Sequence, residues 1–150
     1  MPQDNPRSTA KIAGHPLHAM VTPFPIACFV GAFVTDLIYW RTTAGMWETF
    51  SIWLLTFGLI MAGLAAIFGL IDFLGSARIR ALRTSWAHAL GNALAVLLSL
   101  VNAFVHSRDG YTAVVPTGLI LSGLVTLILV GAAWLGGDLV YRHRVGVADR

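Results

Sequence analysis

At 150 residues, 57% hydrophobic and only 11% charged, the chain is too apolar for an ordinary soluble domain, where roughly a quarter of residues carry charge. Ten Lys and Arg against seven Asp and Glu leave +3, and the basic residues lie scattered between apolar runs, which argues against a nucleic-acid surface. The single cysteine, Cys28, excludes an internal disulfide and any site of several thiolates.

In chain order, a polar tail comes first and closes on GHPLHAM, which places His15 and His18 three residues apart. The apolar run Leu17 to Trp40 follows. Pro16 suits a first helical turn, whereas Pro23 and Pro25 predict a kink or a delayed start. The run is longer than the core of a cleavable signal and is read as a permanent helix. After RTTAGM comes Trp47 to Leu74, longer than one crossing needs and expected to tilt or protrude. GSARIRALRTS leads to Trp86 to Val105, and HSRDGYT to Val114 to Leu135. Each run meets the ~20 residues a helix needs to cross a bilayer, and none alternates as a barrel strand would. The expected fold is all-α: an integral membrane four-helix bundle, up-down-up-down, spanning 17–141, with an N-terminal tail 1–16 and a C-terminal tail 142–150. Trp40, Trp47, Trp86, Trp134 and Tyr141 fall near run ends, where interfacial aromatics belong.

Eight of the ten basic residues share one side of such a bundle: Arg7, Lys11, Arg78, Arg80, Arg83, Arg142, Arg144 and Arg150. Only Arg41 and Arg108 lie on the other. The positive-inside rule predicts that both termini are cytoplasmic.

Polar residues within spans are costly, so their positions inform. On the third run His88, Asn92, Ser99, Asn102 and His106 fall near one helical face, with 18 residues between the two histidines. On the first, His18, Thr22 and Asp36 repeat the pattern with the same 18-residue span. The second presents Gly58, Ala62, Ala65, Gly69 and Asp72, and the fourth Gly131, Gly136, Gly137 and Asp138. Small faces of this kind usually serve close helix packing. Depth then gathers His15, His18, Asp72, His88, Asn92, Asp138 and His143 toward the cytoplasmic side. Asp36, Asn102, His106 and Glu48 fall toward the other. His18, His88 and Asp72 are expected to approach one another.

The segments GHPLHAMVTPFPI, GLIDF, HALGNAL and GGDLVYRHRVGV resemble the signatures of a bacterial family of predicted four-helix membrane proteins of unknown function. The resemblance runs from Gly14 to Val147. It implies recurrent histidines at His15, His18, His88 and His143, and, because some relatives are joined to Rieske-type domains, a redox partner. Ala19 stands where that family usually has proline, and Arg144 where it usually has glycine.

Four readings of the polar residues compete. A b-type haem would be held by His18 and His88, with His15 and His143 as alternates, Asn92 beside them and middle-loop arginines toward the propionates. Asp72 or Asp138 would then accept from the far ring nitrogen of a ligand. A transition-metal site for zinc, copper or iron would draw on His15, His18, Asp72, His88, Asp138 and His143. Proton or ion conduction would use both ends of the stripes, whose middle is thin. The plainest reading is that polar groups pair and fix the bundle with no cofactor, Asp36 with His106 and Asp72 with a middle-loop arginine, in a structural or accessory subunit that contacts lipid and could assemble as a homo-oligomer. No nucleophile elbow, phosphate loop or zinc-protease helix marks an enzyme.

Overall fold

The computed structural model describes residues 5–108 and 114–147. Arg150 and residues 109–112 of the HSRDGYT link lie outside the described residues. Two short strands, β1 (Lys11–Ile12) and β2 (His15–Pro16), pair antiparallel about Ala13 and Gly14, whose φ angles of 49° and 83° give the doubly left-handed turn that hairpins prefer. Then come α1 (Leu17–Val21), α2 (Pro23–Thr42), α3 (Gly45–Gly75), α4 (Ala77–Ala81), α5 (Arg83–His106) and α6 (Leu119–Tyr141). An irregular lead-in, Val114–Gly118, opens α6 and is broken by the extended Val115.

The proline expectation is met by a break at Thr22, between α1 and α2. Pro23 has no N–H to give to the Ala19 carbonyl four residues back, and the Thr22 hydroxyl lies 3.4 Å from that oxygen in its place. The left-handed Thr43 ends α2, and α3 begins two residues later, so the two helices form a tight antiparallel hairpin. Four helical segments are long and apolar enough to cross a membrane: Leu17–Thr42, Gly45–Gly75, Arg83–His106 and Val114–Tyr141. At 31 residues α3 measures about 46 Å, against a hydrocarbon core of about 30 Å.

The helix α2 packs on α3 and α6, and α5 packs on the same two, so α2 and α5 stand on one diagonal of the bundle. Phe29, Ala32, Leu55, Ala62, Ala95, Val125 and Leu129 fill the centre. Gly58 is what admits Phe29: a Cβ there would stand 2.7 Å from the ring. Large apolar side chains on all spans, Phe24, Trp53, Leu97 and Leu127 among them, point outward, where lipid replaces the missing protein contacts.

Both tails gather at one end of the bundle. The Asp72 carboxylate accepts from the Ser8 hydroxyl at 2.9 Å and from the backbone N–H groups of Thr9 and Ala10 at 2.6 and 2.7 Å. The Gly146 N–H donates to the Pro6 carbonyl at 2.9 Å, so the C-terminal tail crosses the N-terminal one. Arg144 takes a left-handed φ of 53°. Such a conformation costs a side chain about 1–2 kcal/mol, which glycine avoids at the expense of unfolded-state entropy. Arg144→Gly is therefore expected to stabilise the protein by about 0.5–1 kcal/mol, read from its unfolding in mixed detergent. No change, or a loss, would show that the arginine side chain itself holds the tail.

Candidate functional site

At the end that carries the tails, the break at Thr22 leaves His18 on the short α1, directed across the bundle diagonal toward α5. His18 and His88 face each other there, ring centroids 6.2 Å apart and planes 84° apart. Each ring is held in the same way. His18 Nδ1 lies 2.8 Å from the Ala65 carbonyl, and His88 Nδ1 lies 2.9 Å from the Ala132 carbonyl. A carbonyl only accepts, so both Nδ1 atoms carry the hydrogen, and each Nε2 keeps its lone pair when the ring is neutral. Four residues after each carbonyl stands a glycine. A Cβ on Gly69 would sit 2.9 Å from His18 Nδ1 and Cε1, and one on Gly136 3.2 Å from His88 Cε1. The small faces of α3 and α6 therefore seat imidazoles. Asn92 donates from Nδ2 to the His88 carbonyl at 2.8 Å and lies 3.3 Å from His88 Nε2.

The other residues singled out from the sequence go elsewhere. Asp72 binds the N-terminal segment, and Arg80 of the middle loop reaches the Phe73 and Leu74 carbonyls at the end of α3. Asp138 lies 3.1 Å from Arg142 Nε and 3.6 Å from His143 Nε2, a grouping at the foot of α6. His15 is exposed on β2. The expected carboxylate acceptors of the ring N–H groups are thus corrected to backbone carbonyls, which lie closer to the rings along the packed helices. Among the described residues no three of His, Cys, Asp and Glu form a metal-ligating group. The set His15, His18, Asp72, His88, Asp138 and His143 accordingly divides into separate contacts, and only His18 and His88 pair as rings.

A second polar layer closes the opposite end. His106 Nδ1 donates to the Asn102 carbonyl at 3.0 Å, and His106 Nε2 lies 2.9 Å from Asp36 Oδ1. Ser51 donates to Asp36 Oδ1 and Ser122 to Oδ2, each at 2.5 Å. Behind them Thr35 meets Ser51 at 2.6 Å, and Asn102 Nδ2 donates to Ser122 at 2.7 Å. Donors from the other three spans converge on the Asp36 carboxylate of the first. Glu48 is also wholly buried, yet among the described residues neither of its oxygens has a partner, and Asn102 Oδ1 and Ser99 Oγ share that condition. The apolar centre separates this layer from the histidine pair: His88 and His106 are about 27 Å apart along α5 by helical rise. No continuous polar path links them among the described residues, which leaves the conduction reading without support.

Both layers obey one register. His18 and His88 differ by 70 positions, as do Asp36 and His106, and the residues so related meet across the diagonal. Ala65 and Ala132, and Gly69 and Gly136, share an offset of 67. The first and second helical hairpins thus present equivalent positions to a common axis.

Four apolar spans, a lipid-facing exterior and two interior polar layers define a multi-pass α-helical membrane protein. The chain matches the family described as predicted membrane protein (DUF2231) over residues 14–149, and it belongs to that family. No curated protein and no solved structure matches it.

Proposed function

We propose that this chain is a small electron-transfer component of a bacterial inner membrane, both termini cytoplasmic, in which His18 and His88 hold a b-type haem. The observation that carries the reading is the pair of imidazoles: each is fixed through Nδ1–H to a backbone carbonyl, and their centroids are 6.2 Å apart. Two metal–nitrogen bonds of about 2.0–2.1 Å, plus the inner half of each ring, require a centroid separation of about 6 Å. Hydrogen bonding of the far nitrogen is what orients a ligating histidine and raises its basicity. His18 and His88 would then hold the iron between them.

When bound, the haem iron would supply one-electron chemistry within the membrane. The chain's own residues supply the rest. Ala65 and Ala132 lock the ring tautomers, Gly69 and Gly136 make room for the rings, and Asn92 offers its amide beside His88 Nε2. Arg83, at the start of α5, brings positive charge to the same end for the propionates. A separate redox protein, for which the family resemblance suggests an iron–sulfur partner, would exchange electrons there.

The test is haem retention by purified variants. His18→Ala and His88→Ala should each lose more than about tenfold of bound haem, the equivalent of at least about 1.4 kcal/mol. His15→Ala, His143→Ala and His106→Ala should keep it. Full retention by His88→Ala would sink the assignment.

A further inference from the structure

The histidine pair leaves one buried charge-bearing group unexplained. Glu48 sits in the first turn of α3, wholly buried, with no partner on either carboxylate oxygen among the described residues. An ionised carboxylate left buried and unpaired is costly, so its presence there calls for a ligand.

The neighbours narrow the choice of ligand. Among the described residues the charged groups within electrostatic reach of Glu48 are His106 from α5 and Asp36 from α2. The fourth span brings Ser122 and the buried Gly118 to this layer, and neither carries charge. His106 and Asp36 are already committed to each other. His106 Nδ1 carries a hydrogen for the Asn102 carbonyl, and a second hydrogen lies between Nε2 and Asp36. Two serine hydroxyls also donate to that carboxylate, so both of its oxygens are engaged away from Glu48. With one proton between them the pair is neutral as a unit, so the pull of His106 on Glu48 is countered by the Asp36 charge beside it. A hard metal cation would want about six oxygens. Among the described residues the unpartnered buried side-chain oxygens are those of Glu48, Asn102, Ser99 and the distant Ser85, too few for such a shell. A proton needs none of that shell. It neutralises Glu48 and adds a donor to a layer whose orphan groups, Glu48 and Asn102 Oδ1, are both acceptors.

We infer that this layer is a proton-binding site, with Glu48 as the group that takes up and releases the proton and the Asp36–His106 pair as its fixed scaffold. The bond formed is O–H on Glu48, and the bond broken is O–H of a hydronium or water at the aqueous surface beside the α2–α3 turn. The inference does not rest on the haem reading, because the two layers share no residue.

Infrared difference spectroscopy of the full-length protein in lipid vesicles tests it. At neutral pH the wild-type protein should show the C=O stretch of a protonated carboxyl group. That band should shift in heavy water and fade as the pH is made alkaline. Glu48→Gln, which mimics the neutral acid in size and charge, should fold with wild-type stability and lack the band, while Asp138→Asn keeps it. Absence of the band in the wild-type protein overturns the inference, as does its survival in Glu48→Gln. A band that appears only when sodium is withdrawn assigns the site to a cation and overturns it too. Should Glu48→Gln fail to fold, the wild-type titration decides alone: a band that neither exchanges with heavy water nor changes with pH contradicts proton uptake and release.

Discussion

Asp36→Ala is expected to lower stability by about 3–5 kcal/mol, the range for removing one partner of a buried charge pair. The reason is local. Asp36 is completely buried and receives His106 at 2.9 Å and two serine hydroxyls at 2.5 Å. Alanine would leave the imidazole and both hydroxyls without an acceptor, and neither water nor lipid reaches them. Ser51→Ala or Ser122→Ala should cost only about 1 kcal/mol each, as single hydrogen bonds do. The double change Asp36→Leu with His106→Leu should recover part of the loss, because an apolar pair leaves no buried charge unpaired. Unfolding in mixed detergent reads all of these. If Asp36→Ala proved as stable as the wild type, the layer would be more hydrated than its hydrogen bonds indicate, and its role as a scaffold would fall.

Gly69→Val is the second large effect, and on the proposed haem assignment it falls on haem retention more than on the fold. Its Cβ would stand 2.9 Å from His18 Nδ1 and Cε1, closer than real Cβ contacts come. His18 would have to leave the Ala65 carbonyl and, with it, the ring position 6.2 Å from His88. Strain of about 1–3 kcal/mol corresponds to a loss of about fivefold to 150-fold in haem retention. Gly136→Ala, with its closest approach at 3.2 Å, should do less. Gly63→Ala on the same helix as Gly69 meets nothing within 4 Å and serves as the control. Equal retention by Gly69→Val and Gly63→Ala would show that the His18 seat has no part in binding.

The spans were legible in the sequence because lipid imposes a long apolar run on every crossing, and a run survives without any knowledge of contacts. The stripes were legible for a related reason. Matching spacings of 18 residues on two helices placed His18 and Asp36 at the depths of His88 and His106, and the structure joins each pair across the diagonal. The partners of the rings were not legible. The Ala65 and Ala132 carbonyls are backbone atoms, and a backbone acceptor leaves no mark in the residue alphabet beyond the glycine one turn later. Ser51 and Ser122 look like ordinary small packing residues until four helices bring them to one carboxylate. Asp72, expected near the histidines or an arginine, accepts instead from Ser8, Thr9 and Ala10, because a tail that precedes the first span folds back over the end of α3. Glu48 was placed at the depth of Asp36 and His106, but only packing reveals that it has no partner among the described residues.

The central claim is that His18 and His88 are two axial ligands of one haem iron. The absorption spectrum of the wild-type protein, produced with ample haem and recorded oxidised, dithionite-reduced and reduced under carbon monoxide, tests it most directly. The account predicts a Soret band with a sharp low-spin reduced spectrum that carbon monoxide leaves unchanged, since both axial positions are filled. A protein with no Soret band, or one whose reduced iron binds carbon monoxide at once, would contradict it.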